Sequence, residues 1–278
     1  MVAGKIVENP DLDDRFEFDP EECDITRGKW VFNRSSKPLY TDRSCPYVER
    51  QYSCEKNGQV ALKKLRGKRV VFVGDSLQRS QWESFICMVE WTIPPQHKSM
   101  KRGRIRDVFK AKEYNASIEF HWAPFLVQSN TDLNILEPKK RIVKIDSVSN
   151  SSRDWEGADI LAFNTCVWSK DWGREDGLRF FNETKPLKKK NIWGSGADKE
   201  MMSVAAGVIG KMKVPVSVLN VTQLSMYRVD AHSSIYTYSG GKLLAEDEKT
   251  DPGEHADCTH WCLPGVPDTW NQILFAHL

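Results

Sequence analysis

Residues 68–91, KRVVFVGDSLQRSQWESFICMVEW, constrain this chain more than any other stretch. Residues 70–73 are a short apolar run rich in valine and closed by a glycine, the pattern of a strand buried on both faces. After Ser76, the residues Leu77, Trp82, Phe85, Ile86 and Val89 recur near helical spacing, so one face of a helix is expected to pack on the sheet. A buried strand that turns through Gly-Asp-Ser straight into a helix belongs to an α/β chain. In open parallel sheets ligands sit beyond the carboxyl ends of the strands. Ser76 is therefore either a helix cap or a nucleophile held at a strand end.

The alternation continues downstream. Residues 116–127 read as one or two strands broken at Pro124. Residues 141–148, 158–165 and 214–222 read as further strands, and residues 199–212 and 268–278 as helices. This order predicts parallel strands with crossover helices, an α/β sandwich with a mostly parallel central sheet over residues 62–278. Residues 15–58 hold Cys23, Cys45 and Cys54 among aromatics and turn formers with no clear period, and predict a small disulfide-tied loop module. Residues 1–14 are acidic and are expected to be disordered.

A net charge of +2 makes no case for nucleic acid. The basic clusters at 98–106 and 185–190 are either solvated faces or a surface for an acidic polymer. No apolar run reaches the length of a membrane span, and the first twenty residues or so lack a signal-peptide apolar segment. Yet the chain has seven cysteines, and Asn-x-Ser/Thr sequons at Asn33, Asn115, Asn150, Asn182 and Asn220. Together they point to a secretory-pathway lumen, with the targeting segment missing from this chain.

A serine nucleophile needs a base, and the base needs an orienting group. Residues 255–270, HADCTHWCLPGVPDTW, supply both as Asp257 and His260, three apart on an expected turn before the last helix. Asn164, at the end of another strand, can donate to an oxyanion. The plainer readings are a capping Ser76, a turn Asn164 and a surface Asp257–His260 pair. Cys258, His260 and Cys262 could also be part of a zinc site, but no second Cys/His pair lies at ligand spacing, so no metal is expected. Asp230 and His232 form a second acid–base candidate. Nucleophile, oxyanion donor and base occur in chain order at the first strand, a middle strand and the last loop, the layout of the GDSL/SGNH hydrolase class.

GDSLQRSQWES followed by DCTHWCLPGVPDTWNQIL resembles the trichome birefringence-like family of plant polysaccharide O-acetyltransferases, and within it the xylan O-acetyltransferase branch. The segment CDITRGKWVFNRSSKPLYTDRSCPYVERQYSCEKNG is similar to that family's N-terminal cysteine-rich domain, and FKAKEYNASIEFHWAPFLVQSNTD and YRVDAHSSIYT also fit. The resemblance implies a GDSL/SGNH-like three-layer sandwich and a Golgi-lumen enzyme that moves acetyl groups onto xylan hydroxyls. It implies Ser76 as nucleophile, His260 as base and Asp257 as its orienter. The Ser76 backbone N–H, Arg79 and Asn164 become candidate oxyanion donors. It implies no bound cofactor, an acetyl donor as co-substrate and a polysaccharide acceptor. An acetyl-ester hydrolase with the same triad, or a glycan-binding homologue impaired in catalysis, are the alternatives.

The resemblance also implies a Cys45–Cys87 bridge, and a bridge from Cys54 to either Cys258 or Cys262. The pattern departs in three places, one of them at Arg179-Phe180-Phe181, where the family has Lys-Cys-Phe before NETKP. After CEKNG the family continues through a tryptophan-rich stretch with a further cysteine. After FNTCVW it carries a longer insert with another helix and strand. Cys23, Cys166 and one loop cysteine are thereby left without an obvious mate. An internally shortened product, such as a skipped exon or incomplete gene model, is the expectation.

Overall fold

In the computed structural model the described residues are 40, 45, 47, 64–90, 93–130, 142–147, 152–164, 181, 183–188, 199–239 and 241–278. The chain forms two compact units, Gly58–Thr165 and Met1–Asn57 with Cys166–Leu278. The expected leader at 1–14 and nearly all of the cysteine-rich module at 15–58 lie outside the described residues.

In the unit Gly58–Thr165, the predicted strand is β1, Arg69–Gly74, and the predicted helix is α1, Ser76–Glu90. A hairpin of β2, Lys98–Lys101, and β3, Arg106–Ala111, leads to β4, Ala116–Trp122. Two-residue strands β5, Gln128–Ser129, and β6, Val143–Lys144, pair with each other, and β7 spans Ile160–Phe163. The sheet order is β2-β3-β4-β1-β7. β1 runs parallel to both β4 and β7, whereas β2–β3 and β3–β4 are antiparallel. The sheet is thus mixed rather than mostly parallel. β2 already runs in β1's direction after α1, and β3 turns back before β4 takes its place beside β1, a hairpin the strand-and-helix alternation did not reveal.

Side chains of β1 alternate across the sheet. Phe72 meets Phe85 of α1 with ring centroids 5.4 Å apart, and Trp82 lies 5.9 Å from Phe120 while donating its indole N–H to the Ile118 carbonyl at 3.2 Å. Val71 and Val73 point the other way, into a cluster with Ala123 and Trp155. Thirteen of the fifteen α1 residues are buried, so the helix is enclosed well beyond the single apolar face expected of it.

The basic cluster at 98–106 neutralises buried acids. Lys98 pairs with Glu90, Arg102 with Glu83 and Asp107, and Arg106 with Glu119. Arg69 also grips Glu119 through two hydrogen bonds of 3.0 and 3.1 Å. Burial alone would raise the Glu119 pKa, but the Arg69 and Arg106 hydrogen bonds and charges outweigh it and hold the carboxyl below its usual range. Residues 101–106 themselves stay exposed, a solvated face whose arginines reach down to buried acids.

The other unit holds the predicted helix α2, Lys199–Ile209, a short α3, Val221–Met226, and a final helix α6 given below. The expected strand at 214–222 does not form. Pro215 has no N–H to give a ladder, none of the described strands pairs with the segment, and Val214 and Val218 remain exposed. The expected strand at 141–148 shrinks to β6, because its chain turns into a 3₁₀ segment at Ile145–Ser147. Then follow β8, His232–Ser234; β9, Tyr238–Ser239; β10, Lys242–Leu243; α4, Glu246–Thr250; α5, Pro252–His255; β11, Asp257–Trp261; and α6, Val266–Ala276. Tyr40 is buried and donates its hydroxyl to Asp268 at the start of α6, 2.7 Å away. Among the described residues no helix is long and apolar enough to cross a membrane.

Candidate active site

Gly74 closes β1 because nothing larger fits. A Cβ there would lie 2.7 Å from Cβ of Gln78, one turn into α1. Gln78 is fully buried and donates its amide to the Ala162 carbonyl of β7 at 2.8 Å, tying the helix start to the neighbouring strand. The cap of α1 is Asp75, not Ser76. Its carboxylate accepts the backbone N–H of Leu77 at 2.9 Å and of Gln78 at 3.4 Å. The residue type predicts this, since Asp is among the preferred caps. Ser76 is therefore the first helical residue, half-buried, and the capping reading does not describe it.

Two first-turn donors are taken by Asp75. These are the N–H groups of Leu77 and Gln78. Arg79 stands three residues after Ser76, on the same side of the helix. Its guanidinium rests over the rings of Phe120 and Trp122, 5.1 and 5.3 Å from their centroids. The parallel register pairs Val73 with Phe163, which sets Asn164 beside Gly74 at the adjoining strand end. Ser76, Arg79 and Asn164 thus come from the carboxyl-end region of one sheet, in one unit.

Asp257 and His260 occur in the other unit, on a strand rather than the expected turn. Side chains three apart on a regular strand point to opposite faces. Here β11 pairs with β8 through Asp257↔Ser234 and Trp261↔His232, with a shift of register between them. That irregularity re-aims the strand. Asp257 Oδ1 accepts the N–H of Thr259 and of His260, each at 2.9 Å, and its Oδ2 accepts Nδ1–H of His260 at 2.8 Å. Thr237 adds a hydroxyl 3.4 Å from Oδ2. Burial would raise the Asp257 pKa, but the His260 ring, its charge and the two backbone donors prevail and hold it well below the ordinary carboxylate range. An ionised Asp257 accepting at Nδ1 fixes one tautomer and leaves Nε2 as the basic nitrogen of His260.

The second acid–base candidate divides. Asp230 pairs with Arg228 at 2.8 Å. His232 joins the first pair, since its Nδ1 bonds the His260 carbonyl at 3.2 Å and its ring stacks on Trp261 at 4.6 Å. Trp261 in turn meets Trp270 of α6 edge-on at 5.2 Å. The supporting roles of Asp75, Gln78, Thr237 and Trp261 were not read from the sequence; only Asp75 had a local signal.

Cys45, Cys87 and Cys262 are disulfide-bonded, while Cys258 keeps its thiol. Cys23, Cys54 and Cys166 lie outside the described residues. A bridged Cys262 cannot serve as a thiolate ligand, which removes the zinc set Cys258–His260–Cys262. Among the described residues no group of three or more His, Cys, Asp or Glu side chains could hold a metal ion.

Comparison with known proteins covers nearly the whole chain. A GDSL/SGNH-like acyl-esterase family found in Pmr5 and Cas1p matches residues 55–181 and 169–277, and a PMR5 N-terminal domain matches residues 21–66. Protein trichome birefringence-like 3 of Arabidopsis thaliana is 49% identical over 354 residues, covering 96% of this chain and 82% of the relative. Probable xylan O-acetyltransferase 8 of Oryza sativa subsp. japonica is 40% identical, covering 95% and 79%. Xylan O-acetyltransferase 3 of the same rice is 33% identical, covering 93% and 76%. The alignment with the Arabidopsis relative is longer than this 278-residue chain, so that relative carries internal segments absent here. With strand-end serine, acid–base strand and both domain matches in place, the chain belongs to the trichome birefringence-like proteins of the GDSL/SGNH-like acyl-esterase family.

Proposed function

We propose that this protein is an O-acetyltransferase that carries an acetyl group on Ser76 and delivers it to a hydroxyl of a plant cell-wall polysaccharide, most specifically xylan. The observation that carries the reading is the Asp257–His260 pair: an ionised carboxylate 2.8 Å from Nδ1, in a chain whose relatives are named xylan O-acetyltransferases. In the first step His260 Nε2 takes the Ser76 hydroxyl proton as Oγ attacks the donor's acetyl carbonyl. The tetrahedral oxyanion is held by the Ser76 N–H with Arg79 and Asn164. It collapses with the donor's leaving group departing and accepting the proton from His260. In the second step a sugar hydroxyl gives its proton to His260 and attacks acetyl-Ser76. Collapse of that intermediate breaks the bond to Oγ, and His260 returns the proton to Ser76. Asp257 keeps its charge throughout and stabilises the imidazolium.

The setting is a Golgi lumen. Five sequons support this, two of them, Asn115 and Asn220, on exposed side chains, together with bridged cysteines. The family description as acyl-esterase favours a second outcome, hydrolysis of the same acetyl-serine. The internal segments missing relative to the Arabidopsis protein favour a third, a glycan-binding homologue with impaired turnover. Incubation with p-nitrophenyl acetate and a xylo-oligosaccharide separates them. Acetylated sugar supports the transferase, free acetate alone the esterase, and neither product the impaired homologue.

A further inference from the structure

His232 is not part of the proposed triad, yet it is built into it. The acceptor of its Nδ1 is a backbone carbonyl, that of His260 at 3.2 Å, and a carbonyl cannot donate. Nδ1 therefore carries the proton. Ser233 Oγ reaches the same carbonyl oxygen at 3.3 Å. The ring is clamped against Trp261, its antiparallel partner residue, at 28° between planes. Burial pushes the His232 pKa down to about 4, against the opposing His260 carbonyl bond and Asp257 charge, so the ring stays neutral near pH 7. A charged ring at this place would repel the imidazolium that His260 must form. The register shift of β11 falls between the two positions that pair with β8, and the peptide held by His232 is the one that carries the His260 ring.

We propose that His232 is a positioning residue: its Nδ1–H holds the His260 carbonyl, and thereby the irregular turn of strand that aims the His260 imidazole at Asp257. This rests on His260 being the general base. It assigns a task to the second histidine of this unit's acid–base cluster that the triad chemistry alone does not require.

Two variants separate positioning from mere packing. His232→Phe keeps the stack on Trp261 but loses the donor. His232→Asn places an amide N–H where Nδ1 stood but loses the stack. Loss of one such hydrogen bond predicts that the Phe variant has kcat for acetyl transfer lowered about 3- to 10-fold. Its KM for xylo-oligosaccharide stays unchanged and its Tm stays near wild type. The Asn variant recovers kcat while its Tm falls. The proton that Nδ1 of His260 shares with Asp257, read by NMR, weakens in the Phe variant and returns in the Asn variant. If kcat follows Tm across the two variants, or that resonance is unmoved in His232→Phe, the proposal is wrong. If the wild type transfers no acetyl, the function proposed above fails, and the Nδ1 proton alone decides the role of His232. Should the Phe variant not fold, His232→Gln, whose amide reaches past the Nδ1 position, takes its place.

Discussion

Asp257 concentrates the site's electrostatics. Four donors converge on one carboxylate, two from the backbone, one from the Thr237 hydroxyl and one from the imidazole it orients. An orienting group can be partly replaced by water, whereas a nucleophile or base cannot. Ser76→Ala or His260→Ala should thus lower kcat roughly a thousand-fold or more, and Asp257→Asn by less. Equal loss in all three, measured as initial transfer rates, would contradict the orienting role. The same pocket sets an acid limit to stability. His232 falls from 6.5 in the unfolded chain to about 4 in the folded one. As pH drops through that window the unfolded state takes a proton that the folded state refuses, so stability is lost, by up to about 3 kcal/mol. Asp257, with its pKa also depressed, continues the loss once pH passes below the ordinary carboxylate range. Urea midpoints should fall between about pH 7 and pH 4, and His232→Asn should flatten the upper part of that fall. A wild-type midpoint that does not move would count against a neutral His232.

At the scale of elements, the strand-to-helix junction depends on a missing side chain. Gly74→Ala sets a Cβ 2.7 Å from Cβ of Gln78, an atom rooted in the helix rather than a mobile tip. The first turn of α1 must then shift, at a cost of about 1–3 kcal/mol. The Gln78–Ala162 bond that ties α1 to β7 moves with it. Thermal unfolding should show the loss, and an unchanged Tm would mean the junction is softer than its contacts indicate. These core elements were legible because burial imposes a period. β1, α1, β4, β7, α2 and α6 all announce themselves by apolar spacing. The β2–β3 hairpin did not, since its lysines and arginines read as a solvated face. Their partners, the buried Glu83, Glu90, Asp107 and Glu119, are distant or off-period in sequence. Nor could spacing reveal that Asp257 and His260 sit on an irregular strand. Three residues suit a turn equally well, and only pairing with β8 distinguishes the two.

Across the whole molecule, the segment at 214–222 shows what local pattern cannot supply. Its valines ask for a sheet, yet a strand exists only with a neighbour to pair. The Arabidopsis relative aligns over more positions than this chain possesses, so segments available to that protein are absent here. Val214 and Val218 stay exposed, as do Val204 and Val208 on α2. The triad residues were named from chain order and resemblance, with Ser76 in one unit and Asp257 and His260 in the other. Chemistry at Ser76 is consequently the most direct test. The protein is mixed with p-nitrophenyl acetate without acceptor, quenched, digested, and the peptide bearing Ser76 weighed. One acetyl group should appear on Ser76 and vanish when xylo-oligosaccharide is added before the quench, with the sugar gaining it. Transfer to the sugar that persists in Ser76→Ala, or acetyl found only on other residues, would contradict the account.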